Sequence, residues 1–339
     1  MSVLELIIAA ALFISVILYA LLAGADFGGG MWDLLAFGPR SRQQREAIAA
    51  AIGPVWEANH VWLILVIVLL FTAFSSAFAV IMTALHIPMT LILIGIVLRG
   101  SVFMFRKYDA QDDATHRRWS AIFGISSFLT PLFLGMTLGA LASGDIRVEE
   151  GVVTSGFFAG WTTPFAIACG LFAQGLFAFL AATYLTVDTQ DQPDLQADFR
   201  WRALASGLSL APAAVLVFFL AREGAPFIFS GLTSWWASLL LIWTSIFAVG
   251  ALVALWLRRF FLARLAAIGQ VTLILLGWGF AQYPNLVVPD VTFMNAAAPD
   301  VTLRLVVIAL GLGVVVLLPS MAYLFYIFKG KGDLLKIGE

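Results

Sequence analysis

The sequence of 339 residues has few charged residues, few histidines and almost no cysteine. Charged residues make up 12% of the chain, about half the share of an average soluble domain, whereas 62% are hydrophobic. Cys169 is the single cysteine, which excludes an internal disulfide and a thiolate metal cluster. The sequence also contains no glycine-rich phosphate-binding loop and no basic patch interleaved with aromatic residues, so nucleotide and nucleic-acid binding are not expected.

Long apolar runs fill most of the chain, and a run of about 17–25 such residues can cross a bilayer as a helix. The sequence therefore predicts an all-α polytopic membrane protein with nine transmembrane helices. The first run follows Glu5 and no basic residue, so we expect a retained helix and not a cleaved signal. The approximate limits of the nine runs are 4–24, 56–74, 78–103, 119–142, 157–185, 202–221, 235–257, 265–283 and 303–328.

Basic residues are distributed very unevenly between the two sides that these runs define. Of the 19 lysines and arginines, all except Arg147, Arg222 and Arg304 fall on one side. Because cytoplasmic loops carry the excess of basic residues, we place the N-terminus outside and the C-terminus in the cytoplasm. An odd number of spans agrees with termini on opposite sides.

The simplest packing of nine such spans is two four-helix bundles plus one extra helix. We assign residues 1–145 to a first bundle with a polar cytoplasmic cluster, 146–285 to a second bundle, and 286–339 to the ninth helix and a cytoplasmic tail. Residues 40–51 are predicted to form a surface helix, and 186–201 a solvated connection. His86 is predicted to lie about 12 Å inside the outer edge of the third span.

The segment GPVWEANHVWLI, residues 53–64, places polar groups at the mouth of an apolar helix. Trp56 and Glu57 precede His60 by four and three residues, so the three side chains are expected to share one helix face, with Asn59 beside them. A charge moved toward hydrocarbon costs at least about 2.5–3.5 kcal/mol, so ionisable groups here are functional candidates. Asp26 is a second candidate, since it follows the first apolar run among four glycines.

Each candidate also has a structural interpretation. Glu57 could be a solvated interfacial carboxylate, and Asp26 could belong to a turn after the first helix. His60 could be a ligand, a relay group or a hydrogen-bonded core histidine. Trp56 and Trp62 are more often interface anchors or core residues. Near the cytoplasmic end of the third span, Arg99 could reach the lipid headgroups or face the two acids.

The segments GADFGGGM (24–31) and GPVWEANHVWLI (53–64) together resemble subunit II of the cytochrome bd quinol oxidases. The likeness extends through Arg99, the SFLTP segment at 127–131 and Tyr283-Pro284. Glu57 stands where the family commonly has aspartate, and His60 where glutamine is familiar. With His86 and Pro88, this pattern is similar to the cyanide-insensitive branch of the family.

The resemblance implies a heterodimer in the bacterial inner membrane. Subunit I carries haem b and haem d, or haem b in place of haem d, together with the quinol-binding loop. Quinol and oxygen therefore react in the partner, and this chain ligates no haem or other metal. Small single-helix subunits and a bound quinone are further components that the family allows.

The resemblance further implies that subunit II stabilises subunit I and helps to conduct protons from the cytoplasm. We expect Asp26 and Glu57 to take up protons, Asn59 and His60 to hold water between them, and Trp56, Trp62 and Arg99 to support them. A proton-coupled secondary transporter is the alternative, and would need polar groups at broken helices near the midplane. A pure scaffold for the partner is the third interpretation.

Overall fold

The computed structural model describes residues 1–108 and 113–329, with side chains in 1–105 and 118–328. The side chains of His116 and of the basic residues at 106, 107 and 117 lie outside the described side chains, and the predicted cytoplasmic tail beyond 329 lies outside the described residues. Across the described ranges the chain is helical apart from two short hairpins, which confirms the predicted fold class.

The first half of the chain contains seven helices and one hairpin: α1 (Val3–Leu34), α2 (Ser41–Ile52), α3 (Trp56–Asn59), α4 (Val61–Ala73), α5 (Ser75–Ala84), α6 (His86–Tyr108), α7 (Asp113–Ser143), β1 (Val148–Glu149) and β2 (Val152–Val153). The second half continues with α8 (Pro164–Asp188), α9 (Pro193–Gly224), α10 (Pro226–Leu232), α11 (Trp235–Trp256), α12 (Phe260–Gln282), β3 (Asn285–Val287), β4 (Val291–Thr292) and α13 (Asp300–Lys329). Strands β1 and β2 pair antiparallel, as do β3 and β4.

Within the described ranges, nine helical stretches are long and apolar enough to cross a membrane, as predicted. Successive spans run in opposite directions and define two ends of the molecule. We call the end with α2 and the α8–α9 and α11–α12 connections the basic end. The other end, with α5, α10 and the two hairpins, is the hairpin end. Described arginines at the basic end are Arg40, Arg42, Arg45, Arg118, Arg200, Arg202, Arg258, Arg259 and Arg264.

The first helix is longer than predicted, because it continues through the glycine-rich segment to Leu34 instead of ending near Gly24. Glycine lowers intrinsic helix stability by about 1 kcal/mol per residue, so tertiary packing must compensate. Four glycines of α1 face close neighbours where a Cβ atom would collide: Gly24 with the Phe177 ring, Gly28 with the Phe177 carbonyl, Gly29 with Ile52, and Gly30 with the Ser127 hydroxyl. The glycines therefore let α1 approach α2, α7 and α8 closely.

The third span also begins later than predicted, at His86, because a separate helix precedes it. Buried Ala77, Val80, Ile81 and Ala84 recur on one face of α5, as in an amphipathic helix packed on a core. The apolar run that starts near residue 78 is thus divided between α5 and α6. The predicted depth of His86 is wrong: it is the first residue of α6 at the hairpin end, with an exposed side chain.

At the basic end, α2 confirms the predicted surface helix. The segment 186–201 is largely helical and not a solvated connection, since α8 ends at Asp188 and α9 begins at Pro193. Asp198 of α9 accepts hydrogen bonds from Arg40 at 2.6 and 2.9 Å and from Gln44 at 2.8 Å. Gln44 in turn accepts a 2.7 Å hydrogen bond from Arg202. This network ties α2 to α9.

Helices α7 and α8 also touch closely. Gly135 and Gly139 of α7 face the backbone and small side chains of Ala166, Cys169 and Gly170 of α8. Small residues allow such approach between membrane helices.

Gly28→Ala should destabilise the assembled protein by about 1–3 kcal/mol, because the added methyl group overlaps the Phe177 carbonyl and must push α1 and α8 apart. Gly250→Ala in α11 is the matched control, since a Cβ atom there meets open space. Thermal unfolding of the purified protein measures both. Equal midpoints for the two variants would contradict the packing role of Gly28.

Candidate functional site

Asp26 lies inside the membrane-spanning part of α1 and not in a turn after it. Eight residues separate it from Leu34, so it lies about 12 Å from the basic end of the helix. Its side chain is only 5% exposed. A carboxylate in such a position needs polar partners, because burial disfavours an isolated charge strongly.

Asn59 supplies one of these partners. Its side-chain Nδ2 donates a 2.7 Å hydrogen bond to Oδ2 of Asp26, and Asn59 itself is 2% exposed. The local sequence explains the position: Gly53 and Pro54 separate α2 from the four-residue helix α3, which carries Asn59 at its last residue. The Oδ1 atom of Asn59 has no hydrogen-bond partner among the described residues. This oxygen can therefore accept a hydrogen bond from water.

Arg99 brings a positive charge to the same region. It is 2% exposed in α6, and its guanidinium lies 4.8 Å from the centre of the Phe27 ring and 5.4 Å from that of Phe123. The Asp26 and Arg99 charges act on each other electrostatically. Among the described residues, Nε and Nη2 of Arg99 have no hydrogen-bond partner. Two aromatic faces and the nearby carboxylate thus accommodate this buried cation.

His60 occupies the turn between α3 and α4 and is surrounded by aromatic rings. The ring centres of Tyr19, Phe27 and Trp56 lie 5.8, 5.9 and 6.2 Å from the imidazole centre. The Tyr19 hydroxyl lies 3.5 Å from Nδ1 of His60. The contact between Trp56 and His60 agrees with the expectation that they share a face.

Glu57 and Trp62 lie apart from this group. The Glu57 side chain is exposed, whereas Trp56 and His60 are half-buried. Trp62 is 7% exposed in the central core, and its indole Nε1 has no hydrogen-bond partner among the described residues. The two acids named from the sequence therefore differ in environment, one buried and one at the surface.

Within the described ranges, no group of three or more histidines, cysteines or carboxylates is placed to hold a metal ion. His60 and His86 are separated by the length of α4, or about 20 Å. They cannot serve as the two axial ligands of one haem. The residues present do not fit a haem site within the described chain.

Tyr19 and a pair at the basic end were not identified from the sequence as site residues. Tyr19 precedes Asp26 by seven residues, so both lie on one face of α1, and this spacing was the available signal. Asp188 and Arg264 approach each other with 3.9 Å between Oδ1 and Nη1. Nothing in the sequence indicates that the end of α8 meets the start of α12.

These groups together can hold and pass a proton. A carboxylate, an amide and a phenol that are buried, and a half-buried imidazole, lie close to a fixed positive charge. A carboxylate can take up and release a proton, and an amide beside it can orient water. The group contains no nucleophile–base pair of the kind that covalent catalysis requires.

Comparison with known proteins gives this geometry a context. The family model described as cytochrome bd terminal oxidase subunit II matches residues 4–328. The chain belongs to this family. It is 26% identical over 329 residues to a putative cytochrome bd menaquinol oxidase subunit II of Bacillus subtilis, with 92% of each chain covered.

Two further similarities extend this comparison. The chain is 29% identical over 174 residues to the cytochrome bd-I ubiquinol oxidase subunit 2 of Escherichia coli, covering 50% of this chain and 45% of that protein. The fold is similar to a chain of the bd oxidase from Geobacillus thermodenitrificans, with a TM-score of 0.75, 20% identity, and 96% and 99% of the two chains covered.

Family membership shows in which membrane the chain lies and to which complex it belongs. The chain is a multi-pass protein of the bacterial inner membrane and a subunit of a cytochrome bd-type terminal oxidase, which is an oxidoreductase. It works in a complex with subunit I, and the haem cofactors of the family belong to that partner. The redox chemistry therefore takes place outside this chain.

Arg99→Leu should destabilise the complex by about 3–5 kcal/mol, because it removes the cation beside the buried Asp26 carboxylate. Arg99→Lys, which keeps the charge, should lose less. Arg42→Leu is the control at the same end, since its ion pair with Glu46 is exposed and should contribute about 1 kcal/mol or less. Thermal midpoints and yields of assembled oxidase measure the series. If Leu is tolerated at position 99 as well as at 42, the charge at 99 is not needed.

Proposed function

We propose that this chain stabilises the haem-bearing subunit I and helps to conduct protons from the cytoplasm toward it. Asp26 and Glu57 take up the protons, while Asn59 and His60 hold the water between them. The observation that carries the proposal is the buried hydrogen bond between Asn59 and Asp26, which lies about 12 Å inside the bundle. Reduction of oxygen consumes protons in a dry site, so polar groups must cross the apolar helices.

The proposed direction of transfer rests on the orientation of the chain. We propose that the basic end faces the cytoplasm, because the described arginines gather there and cytoplasmic loops carry the excess of basic residues. Asp26, Asn59 and Arg99 lie nearer to this end, so protons from the cytoplasm have the shorter path to them. The division into bundles 1–145 and 146–285 with a ninth helix remains part of the proposal.

The electron donor is proposed to be a quinol. The relative in E. coli is named a ubiquinol oxidase and that in B. subtilis a putative menaquinol oxidase. We favour ubiquinol, and rates with both donors test that choice. The haems of subunit I are proposed to be haem b with either haem d or a further haem b, as in the cyanide-insensitive branch. Small single-helix subunits and a bound quinone are further proposed components.

Purification of the tagged chain from its native membrane should bring a larger haem-bearing membrane subunit with quinol oxidase activity. Mass spectrometry identifies the partner and any small subunits, and a reduced-minus-oxidised spectrum identifies the haems. A haem d band in this spectrum would show that the enzyme does not carry haem b in place of haem d. Recovery of the chain without haem absorbance or partner would contradict the proposed assembly.

Asp26→Asn should slow quinol oxidation by on the order of 10²-fold while haem content is unchanged, because an amide cannot carry the proton that a carboxylate carries. Glu57→Gln should slow it less, since an exposed group can be bypassed by water. Glu46→Gln is the control, an exposed carboxylate of α2 paired with Arg42. Turnover, haem content and proton uptake after a single reduction event are measured together.

The outcomes separate conduction from scaffolding. Loss of haem in Asp26→Asn would assign this residue a structural role. Turnover and proton uptake equal to those of the control in both Asp26→Asn and Glu57→Gln would favour a chain that only supports its partner.

A further inference from the structure

A cavity of about 60 Å³ extends from the buried Asp26–Asn59 pair toward the basic end, between α1, α2 and α8. Asp26 and Asn59 line it at one end. Asp188 and Arg264 line it at the other, where their side chains are 20% and 29% exposed. The cavity thus joins a buried carboxylate to a partly solvated ion pair.

Small residues create this space. Ala25 and Gly29 of α1, Ala51 of α2 and Ala181 of α8 line the wall, where larger side chains would fill the gap. A polar cavity holds one water in about 10–15 Å³ of such space, provided that two to four polar groups surround it. Most of the lining is apolar, so waters fit beside the polar groups at the wall, with Asp26 and Asp188 as hydrogen-bond acceptors and Arg264 as a donor.

An independent observation at the inner end points to water. Oδ1 of Asn59 is buried, has no partner among the described residues and belongs to a residue that lines the cavity. A buried carbonyl oxygen left without a donor is unfavourable, and a bound water would remove that penalty. A water at this oxygen would also lie beside the Asp26 carboxylate that Asn59 contacts.

Arg264 lines the outer end of the cavity. Its guanidinium lies 4.6 Å from the centre of the Tyr184 ring and 3.9 Å from the Asp188 carboxylate. The ring contact fixes the cation on α8, and the carboxylate balances its charge at the opening. Without Asp188, the single positive charge of Arg264 would repel protons at the mouth.

We infer that this cavity is the water-filled route by which protons from the basic end reach Asp26, and that Asp188 is the carboxylate that collects them at its mouth. The inference rests on the proposed function and specifies the path for Asp26. Each step moves a proton between oxygen atoms, from Asp188 through water to Asp26, and no other bond changes. Glu57 does not line this cavity.

The first experiment blocks the cavity without removing an ionisable group. Ala51→Phe places a ring in the cavity, whereas Ala50→Phe places the same ring on the exposed face of α2. Proton uptake is followed with a pH indicator after a single turnover of the complete oxidase. Ala51→Phe should slow uptake by at least about tenfold, because the proton must then pass apolar surroundings, while Ala50→Phe should not.

A second pair of variants tests the route if the Ala51→Phe protein fails to assemble. Asp188→Asn should slow proton uptake by a similar factor with unchanged haem content, whereas Asp191→Asn, an exposed acid just beyond α8, should not. Normal uptake in Asp188→Asn and in any assembled Ala51→Phe, together with slow uptake in Asp26→Asn, would overturn the route and leave the proposed function standing. Normal uptake in Asp26→Asn as well would overturn the proposed function itself.

Discussion

The close approach of α1 to its neighbours is the constraint on which the rest of the structure depends. A Cβ atom at Gly28 would overlap a backbone carbonyl of α8, and one at Gly30 would overlap the hydroxyl of Ser127 in α7. Helices at ordinary separation would leave gaps filled by lipid or water around Asp26. Because the backbones meet here, Asp26 is enclosed by protein and its environment is fixed by a small number of defined groups.

Because Asp26 and Arg99 are enclosed by protein, the groups around them must compensate for their buried charges. A carboxylate and a guanidinium that are both nearly fully buried are acceptable only with compensating contacts, which here are the Asn59 amide, two aromatic faces and their mutual attraction. The position of Asp26 thus depends on the glycines of α1 that let α2, α7 and α8 approach. The polar group and the helix packing are two aspects of one arrangement, so changes that loosen α1 should affect both stability and proton transfer.

The sequence predicted those parts of the fold that depend on residue type alone. Apolar runs identified nine spans within the described ranges, and the distribution of arginines separated the two ends. Boundaries that depend on tertiary contacts were missed. The glycines around Asp26 suggested a turn, because their compensation comes from α2, α7 and α8. The run near His86 suggested one span, because the core behind α5 was not visible in the sequence.

The residues of the candidate site, like the elements of the fold, could be predicted from the sequence only in part. Asp26, Asn59 and His60 could be chosen because ionisable and amide groups near an apolar run are costly and conspicuous. Asp188 and Arg264 could not be chosen, since arginines and acids at helix ends are ordinary, and only the packing of α8 against α12 makes them neighbours. The role that we propose for them depends on the cavity that they line, which the packed helices form and which no local segment predicts.

The contrast between Asp26 and Glu57 bears most directly on mechanism. Both are acids on adjacent elements, yet one is enclosed and hydrogen-bonded while the other is exposed. An exposed carboxylate exchanges protons with bulk water quickly but cannot direct them, whereas an enclosed one directs them only if water reaches it. Directed uptake therefore requires a path through the packing around α1. The small residues along the cavity meet that requirement without adding further charge to the bundle.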